Sequence, residues 1–133
     1  RKLSFNGRVL VVEDNMVNQI VVKRMLERVH ITPDIVQNGA EAIEAAIETR
    51  YDLILMDCSM PVIDGFEATL RLRRDHGCQT PIVALTANAL QGDRERCIRA
   101  GMNDYLSKPI AADSLHAVLV RWLPEHEDLT KGV

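Results

Sequence analysis

Short apolar runs and amphipathic stretches alternate along this chain. Residues 8–12 (RVLVV) form a β-branched run, and residues 15–29 follow with Val22, Met25, Leu26 and Val29 at helical spacing. Residues 32–36 make a second strand candidate, and residues 40–47 carry Ala40, Ile43, Ala46 and Ile47 on one helical face. Residues 53–56 (LILM) are apolar throughout, as expected of a strand covered on both sides. Residues 65–74 predict a helix with basic residues in its last turn, where they complement the helix dipole. A fourth strand follows at 81–85 (PIVAL), then a helix over 90–100 closed by Gly101, then a fifth short strand at 103–106. The last helix, 112–123, presents Leu115, Val118, Leu119 and Trp122 as a core stripe before Pro124 stops it.

Five strands alternating with five helices predict an α/β fold: a doubly wound, five-stranded parallel sheet with right-handed crossovers. Loops are short, and no repeat or low-complexity tract interrupts them. Residues 1–7 and 124–133 read as tethers around a single domain spanning 8–123. The start at Arg1, without a methionine, fits a piece cut from a longer protein, and fits processing or a choice of numbering equally.

Composition narrows the function classes. A length of 133 residues with 47% hydrophobic and 26% charged residues suits one globular domain. A formal charge of −3 gives no basic field for nucleic acid. Cys58, Cys78 and Cys97 form neither an even set nor a CxxC pair, which speaks against a disulfide framework or zinc site and for a reducing compartment. They read as packing residues. No apolar run nears the roughly 20 residues of a membrane span, and no signal peptide pattern opens the chain.

Ligands of open parallel sheets bind beyond the carboxyl ends of the strands. There the sequence places Glu13, Asp14 and Asn15 after the first strand, Asp57 after the third, Thr86 after the fourth and Lys108 after the fifth. Strand two ends near Gln37 and Asn38, which add nothing comparable. Three carboxylates facing one ammonium need further positive charge, and an all-oxygen set suits Mg2+ rather than zinc. None of His30, His76, His116 or His126 falls at a strand end. A carboxylate nucleophile beside Mg2+, a lysine and a hydroxyl can accept a phosphoryl group as an acyl phosphate. Asp57, at the end of the buried 53–56 run, is the best aimed of the three. In that arrangement Mg2+, the Lys108 ammonium and the Thr86 hydroxyl with a nearby backbone N–H would each hold one phosphoryl oxygen.

Each residue also has an ordinary explanation. Glu13–Asp14 can be a solvated pair or a helix cap, Asp57 and Lys108 loop residues, Thr86 a cap, and Tyr105 a half-buried sheet aromatic. SMPVIDG (59–65) is also ordinary turn chemistry, with Asp64 as the cap of the 65–74 helix. The ordinary readings of Glu13–Asp14, Asp57, Thr86 and Lys108 would all have to land by accident at one end of one sheet.

The segments VVEDN (11–15), LILMDCSMPVIDGFEA (53–68), PIVALTANA (81–89) and AGMNDYLSKPI (100–110) resemble the response-regulator receiver domain of two-component signalling. The resemblance spans about residues 8–123. It implies the flavodoxin-like (βα)5 fold with strand order 2-1-3-4-5. It implies Asp57 as phosphoacceptor, Asp14 as metal ligand, Glu13 reaching the metal directly or through water, and the Ser59 backbone carbonyl as a further ligand. It implies Lys108 as the phosphate-binding lysine, joined to Pro109 by a cis bond, and Thr86 with Tyr105 as the switch pair. Ser59 and Asn88 would flank the path of a hydrolytic water and set the lifetime of the acyl phosphate. EDNMVNQ, LTANAL and AGMNDYLSKPI are more similar to receivers of hybrid sensor kinases than to those fused to DNA-binding domains. The partners implied are a histidine kinase core and a histidine-phosphotransfer domain, in the cytoplasm, free or tethered through a membrane-bound kinase. A stand-alone or transcription-factor receiver, an aspartate-nucleophile phosphatase and a docking module without chemistry are the competing readings. Against the phosphatase, the position two residues after Asp57 holds Ser59 where such enzymes carry an acid.

Overall fold

In this computed structural model, residues 3–88, 92–123 and 125–128 are described. The strands in chain order are β1 (Leu3–Asn6), β2 (Val9–Val12), β3 (Asp34–Val36), β4 (Leu53–Asp57), β5 (Ile82–Thr86), β6 (Asp104–Ser107) and β7 (Glu125–Asp128). The helices are α1 (Met16–Glu27), α2 (Gly39–Glu48), α3 (Gly65–His76), α4 (Arg94–Ala100) and α5 (Ala112–Trp122). Strands β2 to β6 form one parallel sheet in the order β3-β2-β4-β5-β6. Counted within that sheet the order is 2-1-3-4-5, as expected.

Alternation along each strand divides the core in two. Val9, Val11, Leu53, Leu55, Val83 and Leu85 face Val22 and Leu26 of α1 and Leu115, Val118 and Leu119 of α5. Leu10, Val12, Ile54, Met56, Ile82 and Ala84 face Ala42 of α2, Phe66, Ala68 and Leu72 of α3, and Cys97 and Ala100 of α4. A strand with both faces covered must be apolar at every position, which is why residues 53–56 show no polar alternation. Each large aliphatic side chain buried this way contributes about 1.5–3 kcal/mol relative to exposure.

Local signals fix the helix ends. Asn15, Asn38 and Asp64 accept from the backbone N–H of Asn18, Glu41 and Glu67 at 3.0, 2.9 and 2.9 Å, each supplying an N-cap. Gly77 and Gly101 end α3 and α4 with φ of 61° and 103°, a region open to glycine. In the fourth crossover the α-helix runs from Arg94, with Gly92 and Asp93 in a π-helical turn before it, and Leu90 lies outside the described residues.

The ends of the chain differ from the tethers read in the sequence. Leu3–Asn6 pairs antiparallel with Glu125–Asp128, Leu3 opposite Asp128 and Asn6 opposite Glu125. Phe5 is buried, and its N–H donates to Val29 O at 3.1 Å. The run EHED has no apolar alternation, so nothing in it announces a strand.

Gly65 matters for close approach rather than for its torsion angles. A Cβ there would lie 2.1 Å from Asp57 O and 3.0 Å from Cys58 Cα, both rigid backbone atoms. Gly65→Ala is therefore expected to lose about 3 kcal/mol of stability, the upper range for overpacking a tight site. Urea unfolding checks this, and a midpoint equal to wild type would contradict it.

Candidate functional site

Parallel register brings the strand ends level. Cys58 N donates to Leu85 O at 3.0 Å, and Lys108 N to Thr86 O at 2.9 Å, so the residues leaving β4, β5 and β6 stand side by side. The Lys108–Pro109 bond is cis, as expected. Lys108 Nζ lies 2.9 Å from Asp57 Oδ2 and 3.1 Å from Glu13 Oε2. Glu13, Asp14 and Asp57 each offer an oxygen within 4.8 Å of the others. Glu13 and Asp57 are buried, while Asp14 is open to solvent.

Two backbone donors and one side chain shape this pocket. Asn15 N donates to Glu13 Oε1 at 3.1 Å, and Ser59 N to Asp57 Oδ1 at 3.2 Å. Gln19, one turn into α1, donates from Nε2 to Glu13 O at 2.6 Å and braces the loop after β2. Sequence reading missed Gln19, although its i+4 spacing from Asn15 was available as a signal.

The residues present fit a small divalent cation. Glu13 Oε2 is buried and accepts no hydrogen bond; the Lys108 ammonium is within ion-pair reach but off hydrogen-bonding geometry. One ammonium shared between Glu13 and Asp57 leaves three carboxylates with a net negative charge that a cation would offset. All ligand atoms are oxygen, and the exposed side at Asp14 leaves room for the waters Mg2+ retains.

Electrostatics follow from this crowding. Burial pushes the Asp57 carboxyl from 3.8 up to about 6; Lys108 and the Ser59 N–H pull against that, and Glu13 adds to it. Glu13 also suffers burial, but the Asn15 N–H and the Lys108 ammonium outweigh it and hold the carboxyl below its usual range. Lys108 loses by burial and gains more from Asp57 and Glu13, so its ammonium is held more firmly than usual.

A stability dependence follows. The folded Asp57 binds its proton up to about pH 6, while the unfolded carboxyl releases it near 3.8. Through that window the folded state holds the extra proton, so stability falls as pH rises and the contribution is gone above the folded value. The expected loss between pH 4 and 7 is on the order of 1–3 kcal/mol. Metal-free wild type and Asp57→Asn, unfolded in urea across that range, should differ by this amount; parallel curves would contradict it.

Thr86 and Tyr105 lie at the adjoining edge. Thr86 is buried, its Oγ1 donating to Asp93 Oδ2 at 2.8 Å and accepting from Asn88 N at 3.0 Å. Tyr105 is partly buried against the α2–α3–α4 side of the core, with the Arg94 guanidinium 5.4 Å from its ring centroid. Neither Asp93 nor Arg94 was singled out from sequence. Ser59 and Asn88 are both exposed. Cys58 and Cys97 are buried and Cys78 partly so, all free thiols. Trp122 is partly buried and donates to Asp104 at 2.9 Å. Among the described residues no helix is long and apolar enough to cross a membrane.

The family model described as response regulator receiver domain matches residues 9–120. The chain is 39% identical over 131 residues to hybrid signal transduction histidine kinase B of Dictyostelium discoideum, covering 90% of this chain and 6% of that protein. Its structure resembles the receiver domain of a sensor histidine kinase from Pseudomonas aeruginosa PAO1, solved with magnesium coordinated in the active site cleft. The TM-score is 0.83 at 49% identity, over 90% of this chain and 99% of that one. It also resembles a Saccharomyces cerevisiae co-crystal of a histidine phosphotransfer signaling protein with the receiver domain of its downstream response regulator. There the TM-score is 0.81 at 32% identity, over 92% of this chain and 90% of that one.

Proposed function

This chain belongs to the response regulator receiver domain family, and from that premise we propose that it accepts a phosphoryl group on Asp57 from a phosphohistidine and passes it on in a phosphorelay. The observation that carries this reading is the placement of Lys108 Nζ 2.9 Å from Asp57 Oδ2, within a pocket where a buried Glu13 oxygen has no hydrogen-bond partner.

Asp57 Oδ attacks phosphorus as the P–N bond to the donor imidazole breaks, and the imidazole leaves with the bonding pair. Lys108 leaves its place against Asp57 Oδ2 and holds a phosphoryl oxygen. Thr86 Oγ1 and a backbone N–H of the following loop hold another. Glu13, Asp14, Asp57 and the Ser59 carbonyl would hold Mg2+, which when bound would neutralise the charge crowding the attacking and transferring groups. The new phosphoryl group adds up to about two negative charges beside Thr86. Thr86 then moves toward it and Tyr105 turns into the space, a shift between two packings.

Residues 8–123 are the receiver unit, and the relative of which this chain spans 6% supports an origin within a hybrid sensor kinase. Met16, Val17, Ile20 and Val21 are exposed apolar residues on α1, and Val62 is exposed in the loop after β4 with φ of 69°. Their exposure offers a docking face for a histidine-phosphotransfer domain. Incubation with a phosphorylated histidine-phosphotransfer domain and Mg2+ tests the reading. One phosphoryl group should move to this chain while small phosphate esters stay intact; steady ester hydrolysis without transfer would contradict it.

A further inference from the structure

Thr86 does not offer its proton to Asp57 here. Its Oγ1 donates to Asp93 Oδ2 at 2.8 Å and is positioned by the Asn88 N–H at 3.0 Å. A hydroxyl carries one proton, so donation to Asp93 and donation to a phosphoryl oxygen exclude each other. The bond to Asp93 is charge-assisted, the stronger kind for a hydroxyl donor.

Asp93 lies in the helical turn that runs directly into α4, with φ of −63° and ψ of −32°, and its side chain caps no backbone N–H. Its carboxylate accepts from Thr86. The next residue, Arg94, lies over the Tyr105 ring at 5.4 Å. Two consecutive residues at the start of α4 thus hold the two side chains that the proposed switch rearranges.

We propose that Asp93 is a positioning residue which competes with the phosphoryl group for the single Thr86 proton and so holds the domain in its resting arrangement. The inference rests on the reading of Asp57 as phosphoacceptor. Its consequence is that α4 is tied to the phosphorylation state through a hydrogen bond that phosphorylation must break. Arg94, carried with Asp93, then shifts relative to Tyr105.

Binding of beryllofluoride with Mg2+, measured by calorimetry, reads the competition directly. Asp93→Ala should bind about 5- to 10-fold more tightly than wild type, the scale of one charge-assisted hydrogen bond partly replaced by water. Asp93→Asn keeps an acceptor of the same shape without the charge and should fall between the two; it also supplies the comparison should the alanine variant not fold. In a Thr86→Val background the gain should vanish, because no proton remains to compete for. A merely structural Asp93 would change both backgrounds alike. Equal affinities of Asp93→Ala, Asp93→Asn and wild type, or the same gain with and without Thr86, would overturn the inference while leaving the phosphoacceptor reading intact. Wild type that binds no beryllofluoride would overturn both.

Discussion

Asp57→Ala is expected to take up no phosphoryl group from acetyl phosphate and Mg2+, a loss of more than about three orders of magnitude in rate. The neighbouring carboxylates cannot substitute for it. Glu13 has one oxygen held by the Asn15 N–H and the other aimed at Lys108, and its carboxyl is held below the usual range by those partners. Asp14 is exposed, where water competes for its oxygens. Asp57 ends a strand buried at every position, so its carboxylate is held by rigid backbone. Intact-protein mass spectrometry checks this, and a phosphoryl adduct on the alanine variant at a wild-type rate would contradict it.

Asp14→Ala is expected to weaken Mg2+ binding by at least about 100-fold and to slow phosphorylation in proportion at limiting metal. Asp14 supplies the solvent-facing oxygen of the cluster, and without it two buried carboxylates face one ammonium with the cation less well held. Calorimetric titration with Mg2+ measures the effect. The variant should also recover part of its phosphorylation rate at high Mg2+, unlike Asp57→Ala. An unchanged Mg2+ affinity would show that the cation is held elsewhere.

Much of this was legible in the chain before any coordinates. The run LILM at 53–56 reads as a strand covered on both sides, and the structure buries each of its residues. Once five strand candidates alternate with helices, the rule that ligands gather at the carboxyl ends selects Glu13, Asp14, Asp57, Thr86 and Lys108 together. The structure gathers Glu13, Asp14, Asp57 and Lys108 in one pocket and sets Thr86 at its edge. Asp64, read as a cap, accepts from Glu67 N as its position before a glycine-initiated helix suggests.

What stayed hidden has physical reasons. The contact of Thr86 with Asp93 joins the end of a strand to a residue of the following helical turn, and no period of a single element relates the two. The sharing of the Lys108 ammonium between Glu13 and Asp57 depends on side-chain geometry that spacing cannot supply. The pairing of Leu3–Asn6 with Glu125–Asp128 joins the two ends of the chain through a strand of charged residues, where composition points the other way. Arg73 is another case: it looks like a basic residue at a helix end, yet it donates to Gly101 O, Cys78 O, Thr80 O and Asn103 Oδ1 at 2.8–3.0 Å, fastening α3 to the segments around β5 and β6.

The central claim is that the acidic pocket becomes a phosphoacceptor only by holding a divalent cation beside Asp57. Titrating Mg2+ against the rate of acetyl phosphate uptake, with the modified residue located by borohydride reduction and peptide mass analysis, tests it most directly. The account predicts a rate that rises saturably with Mg2+, falls to background in excess chelator, and leaves a single modified residue, Asp57. Uptake that persists undiminished in chelator, or that maps to any other side chain, would contradict it.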